Sequence, residues 1–132
     1  MTLRPEPDTS RAPNPSKSGQ FAEGVALFNA GEYFRAHEVW EELWLASSGK
    51  DKVFLQGLIQ SAAAFHHHSR GNFAGAASLL KASCAKLANF PGNYCGMDLS
   101  VFLTCLIEWQ KSLKSNRKGE SLPAPQIRLL SE

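Results

Sequence analysis

The sequence lacks the features that mark membrane, secreted and nucleic-acid-binding proteins. No apolar run reaches the roughly 18 residues that a membrane-spanning helix needs, because Gln, Ser or His interrupts each one. The N-terminus has no apolar segment of the kind that forms a signal peptide. The 14 basic residues against 12 acidic ones give a net charge of +2 without a long basic run. We therefore expect neither a membrane nor a nucleic acid as partner.

Cysteine is also scarce. The chain has three cysteines, Cys84, Cys95 and Cys105, and their spacing fits neither a disulfide framework nor a C-x-x-C metal motif. Free thiols in a reducing, cytoplasmic environment are the simplest interpretation. Cys84 and Cys105 occupy apolar helix positions and Cys95 lies in a glycine-containing loop, so we do not expect a thiol nucleophile.

Length and composition predict one folded domain with flanking segments. A chain of 132 residues with 43% apolar content can bury a core. Residues 1–19 hold four of the seven prolines and no apolar periodicity, which predicts a disordered, proline-rich leader. The helical domain is predicted over 20–114 and a polar C-terminal tail over 115–132. Within that tail, the apolar segment 127–130 would either pack back on the domain or bind a partner.

Apolar periodicity predicts an all-α fold. The architecture we expect is a compact five-helix bundle or array, made of two helical hairpins and a closing helix. The predicted helices are a short first helix closed by Gly31, a second over about 32–46, a third from an N-cap at Asp51 to about 70, a fourth ending near 88 and a fifth capped by Asp98. Residues 89–96 are predicted to form a loop.

The two hairpins share a sequence pattern. Residues 31–36, Gly-Glu-Tyr-Phe-Arg-Ala, and residues 71–76, Gly-Asn-Phe-Ala-Gly-Ala, both follow Gly-x-aromatic-x-x-Ala. Two such units are fewer than a repeat array needs. We therefore predict pseudo-symmetry between the hairpins.

The second predicted helix has an unusual face. Successive helical residues lie about 100° apart, which puts Tyr33, Trp40 and Trp44 on one side. His37 and Glu41 lie between these aromatic residues, so two ionisable groups enter the apolar stripe and are expected to be buried together. The other acids of this helix fall toward the solvated side.

The third predicted helix is apolar nearly all round, which predicts a buried, central helix. Its remaining stripe combines small residues such as Gly57, which would let a neighbouring helix come close, with the polar side chains Gln56, Gln60 and His67. If this helix runs antiparallel to the second, His37 should lie near Gln60, and His67 nearer the start of the second helix.

Three segments carry a resemblance to a known family. GEYFRAHEVWEELW, FLQGLIQSAAAFHHHSRGNFAGAASLL and YCGMDLSVFL together resemble the domain-of-unknown-function 309 family over about residues 21–113. The resemblance implies a small all-helical domain of mostly bacterial and archaeal cytosolic proteins, and it implies no particular activity. The positions that match the family pattern are His37, Glu38, Glu41, Trp44, Gln56, Gly57, Gln60, His67, Gly71, Gly75, Gly96 and Asp98.

The polar residues of the two helices support two interpretations. His37, Glu38 and Glu41 form H-E-x-x-E, which lacks the second histidine of the H-E-x-x-H zinc protease motif. A three-ligand metal site of His37, Glu41 and His67 would suit zinc or ferrous iron, so a divalent metal is one candidate cofactor. The alternative is a buried hydrogen-bond network in which His37 and Glu41 bridge to Gln60 and His67.

Other residues are less strongly indicated as part of a metal- or ligand-binding site. Consecutive helical residues point about 100° apart, so the three histidines at 66–68 cannot face one ion together, and only His67 lies on the polar stripe. His66 and His68 lie outside the family pattern that the resemblance implies, and they are assigned no role. The tryptophans of the second helix are either core residues or, with Tyr33, the wall of a pocket for a flat ligand.

The sequence leaves two classes of function open. One is a domain that binds a small molecule or metal ion, with hydrolase-like activity as one form of it. The other is a helical protein-interaction adaptor resembling tetratricopeptide modules. Whether the protein is an enzyme, and whether it forms a homo-oligomer, is not decided by the sequence. The candidate ligand-binding residues are His37, Glu38, Glu41, Trp44, Gln56, Gln60 and His67.

Overall fold

The computed structural model describes residues 19–130 and confirms the all-α fold. Its helices are α1 (Gly19–Asn29), α2 (Tyr33–Leu45), α3 (Gly49–Ser69), α4 (Phe73–Leu87) and α5 (Leu99–Lys114). A hairpin of two-residue strands, β1 (Asn93–Tyr94) and β2 (Met97–Asp98), joins α4 to α5. Residues 1–18 of the predicted leader lie outside the described residues, and Gly19 already belongs to α1. None of the helices within 19–130 has the length and apolar character needed to cross a membrane.

α3 is the central helix, as its composition predicts. Each helix packs mainly on its neighbours in the chain, so that α3 is enclosed between α2 and α4. Phe54, Leu55, Leu58 and Ala62 of α3 have no exposed surface. Burial of this apolar surface is the main favourable contribution to the fold.

The predicted pseudo-symmetry extends to the backbone of the two turns. Gly31 and Gly71 both adopt left-handed conformations, with φ of 83° and 81°. The next residues, Glu32 and Asn72, each donate a backbone hydrogen bond to the carbonyl five residues earlier, at 2.8 and 2.9 Å. This is the Schellman arrangement that ends a helix and satisfies its last carbonyls.

α1 and α2 come close because α1 has a glycine at the contact. A Cβ atom built on Gly24 would lie 2.1 Å from Nε1 of Trp40, so no side chain fits there. Trp40 is fully buried, and its Nε1 donates a hydrogen bond to the carbonyl of Phe21 at 3.3 Å. The indole therefore fills the space that the glycine leaves.

α3 and α4 use the same device, as the small-residue stripe of α3 predicts. A Cβ on Gly57 would lie 2.7 Å from Cδ2 of Leu87. The buried hydroxyl of Ser83 donates a hydrogen bond to the carbonyl of Gly57 at 2.7 Å. The two helices are therefore held at short distance by both packing and a hydrogen bond.

The chain after α5 folds back on the domain. The backbone N–H of Ile127 donates to Oδ1 of Asn29 at 2.7 Å, and Nδ2 of Asn29 donates to the Ile127 carbonyl at 2.8 Å. Ile127 is 3% exposed, and Leu130 donates its backbone N–H to the carbonyl of Gly96 at 2.7 Å. Of the two predictions for the apolar segment 127–130, packing on the domain is the one observed.

The predicted loop at 89–96 was wrong in part, because its end belongs to the β1–β2 hairpin. Cys95 and Gly96 form the turn, with positive φ values of 54° and 77°. Two successive left-handed residues match the twist of a two-residue hairpin connection. The prediction of Asp98 as the N-cap of α5 is confirmed, since its carboxylate accepts the backbone N–H of Val101 at 3.2 Å.

The predicted N-cap at Asp51 was wrong. The N-cap position of α3 is Ser48, and Asp51 lies in the first turn. Its carboxylate instead accepts a hydrogen bond from the hydroxyl of Tyr94 at 2.7 Å. Burial of the Tyr94 phenol, and then this bond to Asp51, raise the pKa of Tyr94. Asp51 therefore ties α3 to the hairpin, a long-range role that local sequence does not reveal.

Candidate functional site

The register of α2 against α3 is fixed by contacts at both ends of their hairpin. Near the connecting turn, Nζ of Lys52 lies 4.4 Å from the centre of the Trp44 ring. At the far end, the ring centres of Phe34 and His66 are 5.2 Å apart. His37 of α2 and Gln60 of α3 lie between these contacts. These contacts show the antiparallel register of α2 and α3 from which the sequence predicted that His37 lies near Gln60.

His37 and Gln60 carry polar atoms without a partner. Within residues 19–130, the buried side-chain nitrogen and oxygen atoms that lack a hydrogen bond are Nδ1 of His37 and Oε1 of Gln60. An unsatisfied buried polar atom costs about 1–3 kcal/mol. Nδ1 can donate and Oε1 can accept, so the two atoms complement each other or one external group that does both. The predicted hydrogen-bond network therefore does not include these two atoms.

Glu41 was predicted to be buried beside His37, and this was wrong. Its side chain is exposed, as is that of Glu38. The buried stripe of α2 consists of Ala36, Trp40 and Leu43. Position 41 is about 100° away from Trp40 around the helix and faces solvent, because only one side of α2 is covered by neighbouring helices.

His67 lies in the last turn of α3 and contacts the turn between α3 and α4. Its Nδ1 lies 3.0 Å from Nδ2 of Asn72, and Oδ1 of Asn72 accepts the backbone N–H of Gly75, also at 3.0 Å. Since Oδ1 is the acceptor, Nδ2 is the donor to His67, and the neutral imidazole carries its proton on Nε2. Nδ1 is therefore engaged in capping the turn.

The predicted metal site of His37, Glu41 and His67 is not assembled. In the part of the chain that the structure describes, no three or more His, Cys, Asp and Glu side chains are grouped so that they could hold a metal ion. The physical reason is that Glu41 faces solvent and His67 faces α4, so neither points toward the α2–α3 contact.

His66, to which the sequence assigned no role, is the histidine that approaches α2. The Phe34 ring stacks on His37 with ring centres 5.9 Å apart and planes 9° apart, and its other neighbour is His66. Burial lowers the pKa of His66, and the nearby charges of Arg70, His67 and His37 lower it further. The feature that could have indicated this contact is Phe34, an exposed aromatic residue one turn before His37.

His68 has a structural role. Its Nε2 lies 2.8 Å from the carbonyl oxygen of Lys118, so this nitrogen carries the proton and donates. The imidazole also packs edge-on against Trp109, with ring centres 5.0 Å apart. His68 therefore attaches the end of α5 to α3.

A cleft beside Trp44 is lined from three helices. It has a volume of about 210 Å³, and its lining residues are Trp44 of α2, Lys52, Val53 and Gln56 of α3, and Lys86 of α4. No carboxylate is among them. Sequence reasoning named Trp44 and Gln56 but missed both lysines, because nothing local indicates that α4 brings Lys86 to this place.

The aromatic residues divide between core and cleft. Trp40 has no exposed surface, while Trp44 is half-buried. Tyr33, which was grouped with them as a pocket wall, packs on Phe28 and Phe65 with ring centres 5.1 and 5.6 Å apart. Burial raises the pKa of Tyr33, consistent with its packing against the core. We use the name Trp44 groove for the Trp44 cleft together with the part of the α2–α3 contact that continues from it through Gln60 and His37 to His66.

The cysteines do not contribute to the groove. None of the three forms a disulfide. Burial raises the pKa of the Cys84 thiol to about 11 and also raises the pKa of Cys105. A thiol with a raised pKa holds its proton at neutral pH and is a poor nucleophile.

Comparison with known proteins gives a family-model match over part of the chain. Residues 21–79 match the sequence model described as "Domain of unknown function (DUF309)". The DUF309 match covers α1, α2, α3 and the first half of α4. It therefore contains the groove except Lys86, whereas Gly96 and Asp98 lie outside it.

Two relatives are similar to this chain. An uncharacterized protein of Aquifex aeolicus is 35% identical over 93 residues, covering 70% of this chain and 26% of that protein. The uncharacterized protein YpuF of Bacillus subtilis is 44% identical over 50 residues, covering 37% of this chain and 29% of YpuF. The chain thus spans less than a third of the length of either relative.

Proposed function

We propose that the Trp44 groove binds a small organic ligand that combines a flat apolar part with an anionic group. The observation that carries this proposal is the convergence of Trp44, Lys52 and Lys86 on one cleft without a lining carboxylate. An aromatic face is a stacking surface for a flat group, and ammonium groups favour an anion next to it. Gln56 adds an amide that can donate or accept a hydrogen bond.

The size of the cleft limits what it can hold. Its volume of about 210 Å³ is smaller than a typical site for a drug-sized ligand. It suits a single ring system with its acid group. A longer ligand would extend along α3, one turn beyond Gln56, to the level of Gln60 and His37.

The unpartnered atoms of His37 and Gln60 support this extension. A ligand hydroxyl at that level would accept from Nδ1 and donate to Oε1, which would satisfy both buried atoms. Because both atoms are shielded from solvent, a rotation of the Gln60 side chain must accompany this contact. We infer binding as the primary function, since Glu41 is too exposed to serve as the partner of His37 in acid–base chemistry.

The proposal is tested by titrating the full chain with 1-naphthoate and following backbone amide resonances. Two matched variants, Lys86→Gln and Lys81→Gln, each remove one charge from α4, but only Lys86 lines the Trp44 cleft. We expect Lys86→Gln to weaken binding about fivefold or more, as the loss of one charge-assisted contact predicts, and Lys81→Gln to leave it unchanged. Equal effects of the two variants, or no saturable binding by the unmodified chain, would contradict the proposal.

A second candidate, the helical adaptor, is favoured by exposed apolar residues on α2. Phe34 is 51% and Leu45 is 68% exposed, and the spacing of Phe34, Glu38, Glu41 and Leu45 places all four on one helix face. This face would suit a basic, amphipathic helix of a partner. Substituting Phe34 by Ser should abolish capture of such a partner without affecting 1-naphthoate binding, which separates the two functions.

The remaining expectations concern location and partners. We infer a reducing, cytoplasmic environment because none of the three cysteines forms a disulfide. We expect no nucleic-acid partner, because the net charge of +2 is small. Homo-oligomer formation is open, and sedimentation of the full chain would decide it.

A further inference from the structure

A second cleft lies on another side of α4, between α4 and α5. Its volume is about 350 Å³, and it is lined by Ala77, Ser78 and Lys81 of α4 and by Gln110 and Lys114 of α5. Lys81 and Lys86 are five positions apart, which separates them by about 140° around α4. The α4–α5 cleft is therefore distinct from the Trp44 groove.

The lining side chains are placed by helical spacing. Ser78 and Lys81 are one turn apart on α4, and Gln110 and Lys114 are one turn apart on α5. Each pair thus presents its side chains on one face, and the two faces border the same space. Two ammonium groups, a hydroxyl and an amide can all donate hydrogen bonds into it, and no carboxylate is among the lining residues.

The two lysines are not engaged in pairing within the fold. Among residues 19–130 the ion pair present is Arg128 with Asp98, and neither Lys81 nor Lys114 has a carboxylate partner. Lys114 lies in the last turn of α5, where a cation is favoured by the helix dipole. Lys81 is in the middle of α4, where the helix dipole does not favour a cation.

The wider charge distribution reinforces the cleft. Residues 70–118 contain seven basic and two acidic residues, whereas residues 19–45 contain five acidic residues and one basic residue. The described chain is therefore polarised, with its positive end at α4 and α5. Such a field raises the local concentration of anions at the cleft.

We propose that the α4–α5 cleft binds a phosphate group, carried either by a soluble metabolite or by a lipid headgroup. A phosphate monoester has a charge near −2 at neutral pH and three acceptor oxygens. It therefore matches two ammonium groups and uses more of the available donors than a carboxylate does. Lysine is an established phosphate-binding residue that acts as a point charge.

The experiment titrates the full chain with inorganic pyrophosphate and follows backbone amide resonances. The test variant is K81Q/K114Q, and the control is K50Q/K111Q, which removes the same charge from exposed positions outside this cleft. We expect saturable shifts at Ser78, Lys81, Gln110 and Lys114, with affinity falling about tenfold or more in the test variant and less than about twofold in the control. Thermal melting of both variants checks that each remains folded.

Two further arms identify the source of the phosphate. Vesicles of phosphatidylcholine with and without phosphatidic acid are compared with soluble pyrophosphate. Retention on the phosphatidic acid vesicles that K81Q/K114Q abolishes indicates a lipid headgroup, and pyrophosphate binding without vesicle retention indicates a soluble ligand. Equal losses in the test and control variants, or the absence of saturable binding in every arm, would overturn the proposal. Binding at the Trp44 groove is followed separately through the amide resonances of its lining residues Trp44, Val53 and Gln56.

Discussion

The ammonium nitrogen of Lys52 lies 4.4 Å from the centre of the Trp44 ring, which joins α2 to α3 next to the turn between them. A cation over an aromatic face is worth about 0.5–1 kcal/mol at an exposed site. The contact also fixes the position of the indole, so that the ring forms one wall of the Trp44 cleft. The same pair of residues therefore stabilises the hairpin and shapes the candidate site.

Gly24 should tolerate no larger residue. Gly24→Ala would place a Cβ 2.1 Å from Nε1 of Trp40, so the indole or α1 must move. We expect a loss of about 1–3 kcal/mol in the free energy of unfolding, measured by urea denaturation. Gly19→Ala is the control, because a Cβ there meets nothing within 4 Å. Equal stability of the two variants would show that α1 and α2 are not in contact at Gly24.

Glu41→Ala should leave stability unchanged. The carboxylate is exposed, and surface substitutions of this kind usually alter the free energy of unfolding by less than about 0.5 kcal/mol. A burial model predicts a loss of about 1–3 kcal/mol instead. Thermal melting of the variant and of the unmodified chain distinguishes an exposed from a buried Glu41 carboxylate. A marked drop in Tm would indicate that the carboxylate is buried.

The helices were predictable from the sequence because their signals are local. The periodic apolar residues and the left-handed glycines Gly31 and Gly71 define where helices run and end. The candidate site was harder to predict from the sequence, because the burial of a polar side chain depends on which side of its helix a neighbouring helix covers. The sequence assigned Glu41 and His67 to the α2–α3 contact. In the structure, Glu41 is exposed to solvent and His67 is hydrogen-bonded to Asn72, the N-cap residue of α4.

Long-range contacts account for the remaining differences. Asn29 binds Ile127, 98 positions away, and Asp51 binds Tyr94, 43 positions away. No local pattern encodes such pairs. The lysines of both clefts were missed for the same reason, since each cleft forms only when separate helices come together.

Asn29→Ala should release the C-terminal segment. The variant removes both hydrogen bonds between the Asn29 side chain and the backbone of Ile127. We expect a loss of about 1–3 kcal/mol in the free energy of unfolding and faster amide hydrogen exchange at Ile127 and Leu130. Gln126→Ala, which removes one exposed hydrogen bond, should have a smaller effect. Unchanged exchange in Asn29→Ala would contradict the proposed anchoring.

The stability of the domain should fall as the pH is lowered through the His66 titration. The pKa of His66 is lowered from 6.5 by burial and by the charges of Arg70, His67 and His37. The unfolded chain then binds the proton more tightly, so stability is full above pH 6.5 and declines below it. His66→Gln should reduce this pH dependence. A His66 titration midpoint above 6.5 in an NMR pH series would refute the prediction.

The Trp44 groove is tested most directly by locating a bound probe. Intermolecular nuclear Overhauser effects between 1-naphthoate and the isotope-labelled full chain report which protons lie close to the ligand. We expect contacts from the naphthalene ring to the Trp44 indole and to Val53 and Gln56, with none to Ala77 or Gln110 in the α4–α5 cleft. Contacts confined to surfaces away from Trp44 would show that this groove is not the binding site.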